Sequence, residues 1–394
     1  MKRYVARSPG GAEIVYEDRK RFWWLLSVCY PLQPFVGIAL HAASGNQLWL
    51  LLPLAFTYLG GPLLDRTLGE DRNNPPPAVV PQLERDRYYR RLTCIAVPLH
   101  FAAFIGAAWW AGSQPLSPWA FAGLAIVAGM TSGLAINTGH ELGHKNSRLE
   151  RTLSQLVLAI PAYGHFSIDH NRGHHRDVAT PEDVASARMG ESIYRFALRE
   201  MPGALARAWA IETARLDRRA MHAWHPANRI LRTYALTAVL HLVPIAVFGW
   251  KMLPWLLLHD VLAWWQLTSA NYIEHYGLLR AKGADGRYER CQPHHSWNSN
   301  HTFSNLALFH LARHSDHHAH PSRRFQSLRN FDDLPSLPSG YFGAYLLACV
   351  PPLWYRVMDP RLMALPQVRH DISRVNVVAG RRERLARRYG ATPG

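Results

Sequence analysis

The chain has 394 residues, 48% of them hydrophobic, with 27 Gly, 27 Pro and 14 Trp, a composition that excludes disordered chains and small disulfide-rich scaffolds. Lys and Arg number 44 against 28 Asp and Glu, which gives a net charge of +16, and there are 22 His. Such a charge first suggests a nucleic-acid partner. Apolar residues, however, are gathered into long uncharged stretches with the charges between them. We therefore predict an integral membrane protein in contact with lipid and no nucleic-acid partner.

Six apolar stretches are long enough to cross a bilayer, since a helix rises about 1.5 Å per residue and the hydrocarbon layer is roughly 30 Å thick. The predicted spans are residues 22–42, 47–64, 92–111, 117–138, 231–250 and 253–272. The shorter run 341–354 is interpreted as interfacial or packed under the cytoplasmic region. The stretch 203–223 has the period of an amphipathic surface helix.

Basic residues lie almost entirely on one side of the predicted membrane. The N-terminal segment and the 65–91 loop hold six each, the hydrophilic regions 139–230 and 273–394 hold nearly all the others, and Lys251 alone lies on the opposite side. The positive-inside rule therefore predicts that both termini and both long regions are cytoplasmic. The sequence predicts an all-α integral membrane fold, in which six transmembrane helices carry a cytoplasmic helical cap rich in histidine, and one domain over residues 1–394. The basic end of the chain, residues 377–394, is expected to be a tail or a linker.

Histidines concentrate in four short segments of the predicted cytoplasmic face. The fourth span ends in NTGHELGHK, the following region contains HNRGHHRD, the sixth span ends in NYIEHYGLLR, and LARHSDHHAHP comes later. Spacings of three and four residues place imidazoles on one face of a helix. The nine histidines of these segments are His140, His144, His170, His174, His175, His275, His314, His317 and His318.

Clusters with this spacing favour a metal site over nine separate structural histidines. Imidazole binds Fe, Cu, Zn and Ni, so the ligand type alone does not select the metal. The number of histidines indicates two metals with open coordination positions. Two redox-capable ions at a membrane surface suggest oxygen activation and oxidation of an apolar substrate.

The three paired clusters resemble the H-x3/4-H, H-x2/3-HH and H-x2/3-HH pattern of the membrane desaturase and hydroxylase superfamily. The longer strings NTGHELGHK, HNRGHHRDVATPED, RMGESIYRF, LTSANYIEHYGLLR and HSWNSNH are similar to those of the alkane 1-monooxygenase family. The likeness extends from GEDRNNPP at 69–76 through LPSGY to VMDP at 357–360, which is most of the chain.

This resemblance implies a non-haem diiron enzyme of the bacterial cytoplasmic (inner) membrane. It would use O2 to hydroxylate the terminal methyl group of medium- to long-chain n-alkanes. The two Fe ions would be held by the nine histidines named above. Electrons would come from rubredoxin, itself reduced by rubredoxin reductase, at the basic cytoplasmic face. The four cysteines form no CxxC pair that could hold a rubredoxin iron within this sequence.

Several other residues are candidates for supporting roles. Carboxylates adjoining the clusters are expected to orient imidazoles, with salt bridges to Arg as the alternative: Glu141, Asp169, Asp177, Asp183, Glu274 and Asp316. Thr57, a small residue among bulky ones in the second span, is a candidate for the wall of a substrate channel, with helix–helix packing as the alternative. An Asp260–His241 contact is expected between the last two spans. His294, His295, His301, His310 and His320 are expected to be supporting or surface residues.

Two other functions remain open from the sequence. A membrane desaturase, or a hydroxylase of another hydrocarbon or fatty acyl substrate, could use the same metal cage. A histidine-rich metal transporter would also combine spans with imidazoles. Its ligands should lie near the middle of the bilayer, however, whereas these clusters lie at or beyond one end of the spans.

Overall fold

The structure is a computed structural model and describes residues 2–390. The last four residues of the predicted tail, 391–394, lie outside the described residues. Helices dominate, as predicted, but the chain begins with an antiparallel hairpin of β1 (Lys2–Arg7) and β2 (Glu13–Asp18). Tyr4 and Tyr16 are paired across this hairpin and are both buried. The sequence prediction did not contain these strands.

The first two predicted spans are irregular helices. The first consists of α1 (Leu25–Cys29), a 3₁₀ turn over Tyr30–Leu32 and α2 (Gln33–Ser44). The second consists of a 3₁₀ turn over Gln47–Leu51, α3 (Leu52–Ala55), a π-helical turn over Phe56–Gly60 and α4 (Gly61–Leu68). Prolines near the start of α2, α3 and α4 interrupt the regular hydrogen-bond ladder, since a proline nitrogen cannot donate to it.

The remaining long helices follow the sequence prediction more closely. After the short α5 (Val80–Arg85), the four other predicted spans correspond to α6 (Arg87–Ser113), α7 (Pro118–Gly143), α12 (Arg229–Phe248) and α13 (Met252–His275). In the described part of the chain, five helical segments are long and apolar enough to cross a membrane: the two irregular ones, α6, α7 and α12. The chain is therefore a multi-pass membrane protein. Helix α13 is also long enough but does not reach that apolarity, because it contains His259, Asp260 and Gln266.

Helices α7 and α13 pack closely, which covers the polar residues of α13. A Cβ atom added at Gly129 would lie 2.5 Å from the His259 carbonyl oxygen, and one at Gly133 would lie 2.5 Å from Gln266 Cβ. Such distances are too short for any side chain, so glycine allows the two backbones to approach. The two helices end at Gly143 and His275, and they deliver His140 and His275 to the same region.

Nine further helices of the described residues build the region beyond the spans. They are α8 (Arg148–Leu158), α9 (Phe166–Asp169), α10 (His175–Asp177), α11 (Ile193–Asp217), α14 (Thr302–Ala307), α15 (His314–Ala319), α16 (Tyr341–Ala348), α17 (Pro351–Met363) and α18 (Arg382–Tyr389). The predicted surface helix 203–223 is α11, which begins ten residues earlier and buries one face. The run 341–354 forms α16 and the start of α17, and it is packed into the largest buried core through Tyr341 and Trp354.

Candidate metal centre

Four segments of the chain bring the nine predicted histidines together. His140 lies in the last turn of α7 and His144 caps its end, His275 ends α13, and α15 carries its three histidines within six residues. His170 and His174 lie in a π-helical turn that joins α9 to α10. The same turn contains Gly173. Turns of this kind are rare and are found mostly at functional sites, since they realign side chains within a helix.

The donor nitrogens form two groups, and within each group they all lie within 4.8 Å of one another. We call them the five-histidine group and the four-histidine group. The first consists of His140, His144, His170, His175 and His317, and the second of His174, His275, His314 and His318. Every predicted histidine belongs to one of the two groups. The i, i+4 pair His170 and His174 is divided between them, because the π turn aligns His170 with His175 instead.

Within each group the Nε2 atoms converge. The Nε2 atoms of His140 and His317 are 2.9 Å apart, and those of His317 and His175 are 3.2 Å apart. In the four-histidine group, His314 Nε2 lies 3.1 Å from His275 Nε2 and 2.8 Å from His318 Nε2. A neutral imidazole carries one N–H, so several converging Nε2 atoms cannot all be satisfied by one another.

Two buried nitrogens point to a cation in particular. His144 Nε2 and His174 Nε2 have no hydrogen-bond partner among residues 2–390. His174 donates its Nδ1–H to Asp183 Oδ2 at 2.8 Å, which leaves Nε2 as the ring nitrogen that can ligate an ion. An unpaired buried acceptor is costly, and a metal ion removes that cost. One such unpartnered Nε2 atom lies in each group, so both groups fit a metal.

The surroundings keep the imidazoles uncharged. Burial holds the pKa of these five histidines well below the usual range: His170, His175, His314, His317 and His318. Neighbouring imidazoles lower these pKa values further, since several positive charges would have to share one small volume. Neutral imidazole is the form that ligates a metal, so the site is ready to bind one without first losing protons.

Asp183 is the carboxylate that touches a group histidine most directly. Its other oxygen accepts from Arg207 Nη1 at 2.9 Å, and Arg207 Nη2 donates to Asp169 Oδ2 at 2.9 Å. Burial alone would raise the pKa of Asp183, but the His174 imidazole and the Arg207 guanidinium outweigh it and hold that pKa well below its usual range. Asp183 therefore stays ionised and fixes the orientation of His174.

Sequence reasoning missed Arg207, which lies on α11 far from the histidine motifs. A Cβ atom at Gly173 would lie 2.5 Å from Arg207 Nε, so this glycine makes room for the guanidinium against the histidine turn. The glycine inside HNRGHH was the available signal that something packs closely there. It did not indicate which residue does so.

Glu274 is the second carboxylate at the site. Its Oε2 lies 3.3 Å from His314 Nε2, and its Oε1 accepts from the Tyr341 hydroxyl at 2.9 Å. The other predicted carboxylates pair with cations, as in the salt-bridge alternative: Glu141 with Lys145, Asp177 with Arg176, and Asp316 with Arg323. Those three make no contact with a group histidine among the hydrogen bonds and ion pairs of residues 2–390.

None of the other histidines named from the sequence joins either group. His295 contributes its backbone carbonyl, 3.4 Å from His275 Nδ1, and its imidazole accepts from the Gln292 backbone N–H.

The predicted contact within the last two spans is present, with His241 Nε2 3.6 Å from Asp260 Oδ1. His259 lies closer to the same carboxylate, at 2.8 Å.

Comparisons with known proteins agree with this geometry. Residues 117–344 match the model of the fatty acid desaturase family. An alkane 1-monooxygenase of Ectopseudomonas oleovorans is 52% identical over 96% of this chain and 94% of its own length. Alkane 1-monooxygenase 1 of Alcanivorax borkumensis is 52% identical over 95% of this chain and 92% of its own, and the Pseudomonas putida alkane 1-monooxygenase gives the same values.

The chain belongs to the alkane 1-monooxygenase family. The desaturase-family match begins at the start of α7 and ends within α16, so it includes all nine histidines. Family membership and the two histidine groups together identify a metal site of the kind found in non-haem iron enzymes.

In this alkane 1-monooxygenase family member, one cavity is lined both by histidines of the two groups and by residues of the spans. His140 and His170 of the five-histidine group and His314 of the four-histidine group form part of its wall. Most of the other lining residues are apolar: Tyr30, Met130, Leu134, Phe166, Leu267, Ala270, Leu308, Leu311, Phe342 and Tyr345. We call this space the main cavity.

Thr57 lies in the wall of the main cavity, in the π turn of the second span. It is buried, its hydroxyl is 3.1 Å from the Tyr30 hydroxyl, and it donates to Gln33 Oε1 at 3.2 Å. Both roles considered from the sequence therefore have a structural basis, since Thr57 contacts the first span and also lines the cavity.

Proposed function

We propose that this chain is a membrane non-haem diiron monooxygenase that converts medium- to long-chain n-alkanes to 1-alkanols. It would use O2 and electrons from rubredoxin. The observation that carries the proposal is that histidines of both converging imidazole groups line one mostly apolar cavity. The names of the relatives, alkane 1-monooxygenases at 52% identity over nearly the whole chain, support the substrate class.

Two iron ions would be held by the five-histidine and four-histidine groups respectively. The unpartnered nitrogens of His144 and His174 support one ion in each group. When bound, the irons would supply the activation of O2 and the insertion of one oxygen atom into a C–H bond. The protein's own part is to hold the imidazoles neutral, to orient His174 through Asp183, and to exclude water.

The lining of the main cavity supports attack on a terminal carbon. An alkane has no polar group by which a protein could orient it, so position must come from the cavity walls. A mostly apolar space with histidines of both groups in its wall would present one methyl group to the metals. Each misplaced methylene costs about 1 to 3 kcal/mol in such a pocket, which is enough to favour one end of the chain over its middle.

Electrons would come from an iron site outside these residues, on another polypeptide or on a further domain. The four cysteines, Cys29, Cys94, Cys291 and Cys349, are all free, and none forms a pair suited to a rubredoxin-type iron. The net charge of +16, concentrated in the hydrophilic regions, would attract a small acidic protein such as rubredoxin, with rubredoxin reductase supplying it. Turnover should therefore fall steeply as salt is added.

The membrane arrangement proposed here has six spans. Helix α13 is the sixth, its polar residues shielded by α7. Both termini and the histidine region would be cytoplasmic, in the inner membrane of a bacterium, on the distribution of basic residues. We propose one catalytic unit over the whole chain, because the nine histidines come from four segments that only the complete fold brings together.

The deciding experiment measures metal and product together. Purified protein is expected to contain about two irons per chain and to convert octane to 1-octanol when rubredoxin, its reductase and NADH are supplied. An alkene product would favour the desaturase alternative. One metal per chain, or octanol formation unchanged after Ala replacement of His174 and His144 together, would contradict the diiron proposal.

A further inference from the structure

A second cavity, separate from the main cavity, lies at the end of the spans that carries the histidines, which we call the histidine side. Its volume of about 350 Å³ is within the usual range of ligand-binding clefts, about 300–1,000 Å³. Its wall combines the end of α7, one face of α8, part of α9, the π turn that follows and the start of α12. Arginines dominate the wall, so we call it the arginine pocket: Arg148, Arg151, Arg172 and Arg229.

The charge of these arginines is not balanced within the described residues. None of the four forms an ion pair among residues 2–390, and no acidic residue of that range lines the pocket. The carboxylates close to them in the chain are occupied elsewhere: Glu150, on α8, pairs with Arg90 and Arg324, and Glu212 accepts from Arg215 at 2.6 and 2.8 Å. Four positive side chains around one small cavity repel each other, and an anion between them removes this repulsion.

Neutral polar groups in the same wall can also bind an anion. The side chains of Thr152, Gln155 and Ser167 line the pocket and form no hydrogen bond within residues 2–390. Hydroxyl and amide groups can donate to phosphate oxygens, and a guanidinium binds phosphate through two parallel N–H donors. The donors of the arginine pocket therefore fit a ligand that contains phosphate.

The pocket lies where the spans meet the aqueous region. The end of α7 and the start of α12 form part of its wall, and both helices are long and apolar enough to cross the membrane. Next to the pocket face of α8, on one side of that helix, Leu149 is 55% exposed and Leu156 is 37% exposed. Basic residues beside exposed leucines are typical of a helix that lies in the membrane interface.

Helix α12 offers a surface for the acyl chains of a lipid whose headgroup occupies the pocket. Only 17% of its apolar stretch is buried within the protein, so most of it contacts lipid. Its first residue, Arg229, belongs to the pocket. One phospholipid can consequently place its phosphate among the arginines and its acyl chains along α12.

Two hydrogen bonds connect the wall of the pocket with the last turns of α7. Ser154 Oγ donates to the Gly139 carbonyl at 2.6 Å, and Asn171 Nδ2 donates to the Gly143 carbonyl at 3.0 Å. Gly139 and Gly143 each directly precede a histidine of the five-histidine group. A ligand that holds the pocket residues in place would therefore also stabilise the end of α7.

We propose that the arginine pocket binds the phosphate headgroup of an anionic phospholipid from the membrane leaflet on the histidine side. Basic pockets between spanning helices are a recurrent site for such headgroups, because the lipid supplies the missing negative charge and is always close by. The proposal does not depend on the reaction catalysed, since no pocket residue is a group histidine or lines the main cavity.

The test measures how lipid composition affects stability. Full-length, delipidated protein is placed in nanodiscs of phosphatidylcholine, with or without phosphatidylglycerol, and its melting temperature is recorded. The parent should melt at a higher temperature with phosphatidylglycerol, because a ligand of the folded state stabilises it. Arg172→Gln combined with Arg229→Gln should lose most of this increase. In competition with fluorescent phosphatidylglycerol, the affinity of the double variant should fall about 10- to 30-fold.

The matched control combines Arg356→Gln with Arg361→Gln on α17. Both arginines are exposed and neither lines the arginine pocket, so the control removes the same charge elsewhere. It should retain the parent's response to phosphatidylglycerol. Arg172→Lys combined with Arg229→Lys keeps the charge and should keep part of the affinity, which tests the pocket even if the glutamine variant folds poorly.

Other outcomes would overturn the lipid assignment. An equal rise in melting temperature with phosphatidylglycerol in the parent and in both pocket variants would show that the lipid binds elsewhere. A rise of the same size caused by inorganic phosphate in phosphatidylcholine nanodiscs would assign the pocket to free phosphate. A higher KM for rubredoxin in the glutamine variant, with unchanged affinity for the lipid, would assign these arginines to docking of the electron carrier.

Discussion

The Nε2 atoms of His170 and His175 lie 3.0 Å apart, although the two residues are five positions apart in the chain. A regular α-helix would align His170 with His174, four residues away. The π turn over His170–His174 shifts the alignment by one residue, so that His174 faces the other group of histidines. One short segment thereby supplies ligands to both groups.

The unequal size of the two groups predicts unequal effects of single substitutions. His275→Ala leaves three imidazoles in the four-histidine group, whereas His144→Ala leaves four in the five-histidine group. We predict that His275→Ala lowers the iron content to about one per chain and that His144→Ala retains close to two. Iron per chain from elemental analysis, with Mössbauer spectra to distinguish the sites, is the measurement. Equal losses in the two variants would show that the groups do not bind independently.

The Asp183–His174 contact predicts a specific loss of metal affinity. Asp183→Asn removes the charge that holds the Nδ1–H of His174, and such orienting carboxylates contribute about 10- to 100-fold to metal affinity. The four-histidine group should weaken by that factor in a chelator competition assay, while the five-histidine group is unaffected. Asp177→Asn is the matched control, since Asp177 pairs with the exposed Arg176 and touches no group histidine. An equal loss in the control would assign the effect to local unfolding.

The histidines could be predicted from the sequence because their chemistry is local. Their spacing within a motif, and the ending of two spans in such motifs, are enough to predict that all nine residues lie at one level of the fold. The division into two groups could not be predicted, since it depends on a π turn, and no sequence rule distinguishes that turn from the α-helix that the same spacing favours.

Contacts between residues far apart in the chain could not be predicted from the sequence, for a different reason. Arg207 meets Asp169 and Asp183 only because α11 packs across the histidine turn, and Tyr341 meets Glu274 only because α16 folds under α13. Neither packing arrangement leaves a periodic trace in the sequence. The N-terminal hairpin did leave a periodic pattern, because the alternating segments KRYVAR and EIVYED flank the turn residues SPGG. Both segments are short, so the pattern was not recognised.

Thr57 provides a test of cavity length. Thr57→Trp would fill the wall of the main cavity with a large ring, so we predict that the longest alkane converted becomes shorter while octane turnover changes by less than about threefold. Product profiles over a series of chain lengths, measured by gas chromatography, would detect the change. Leu59→Trp is the matched control in the same turn, because Leu59 is 71% exposed and does not line the main cavity. An unchanged product profile in Thr57→Trp would show that Thr57 does not line the substrate channel.

Glu200, on α11, is a buried carboxyl that predicts how stability depends on pH. It accepts from Thr268 Oγ1 at 2.7 Å and from Asn271 Nδ2 at 3.1 Å, and the Asp169 and Asp183 carboxyl groups lie nearby, with Arg207 between those two. Burial raises the pKa of Glu200 from 4.5 to about 7. The Thr268 hydrogen bond lowers this pKa, whereas the nearby Asp169 raises it further.

The sign of the effect follows from which state keeps the proton. The unfolded carboxyl loses its proton near pH 4.5, whereas the folded one keeps it to about pH 7, so the free energy of unfolding falls as the pH rises between these values. The difference corresponds to at most about 3 kcal/mol. Glu200→Gln retains an acceptor for Thr268 and cannot ionise, so its melting temperature should match the parent's at pH 4.5 and exceed it at pH 8. A gap between the two proteins that is the same at both pH values would show that Glu200 does not ionise in this range.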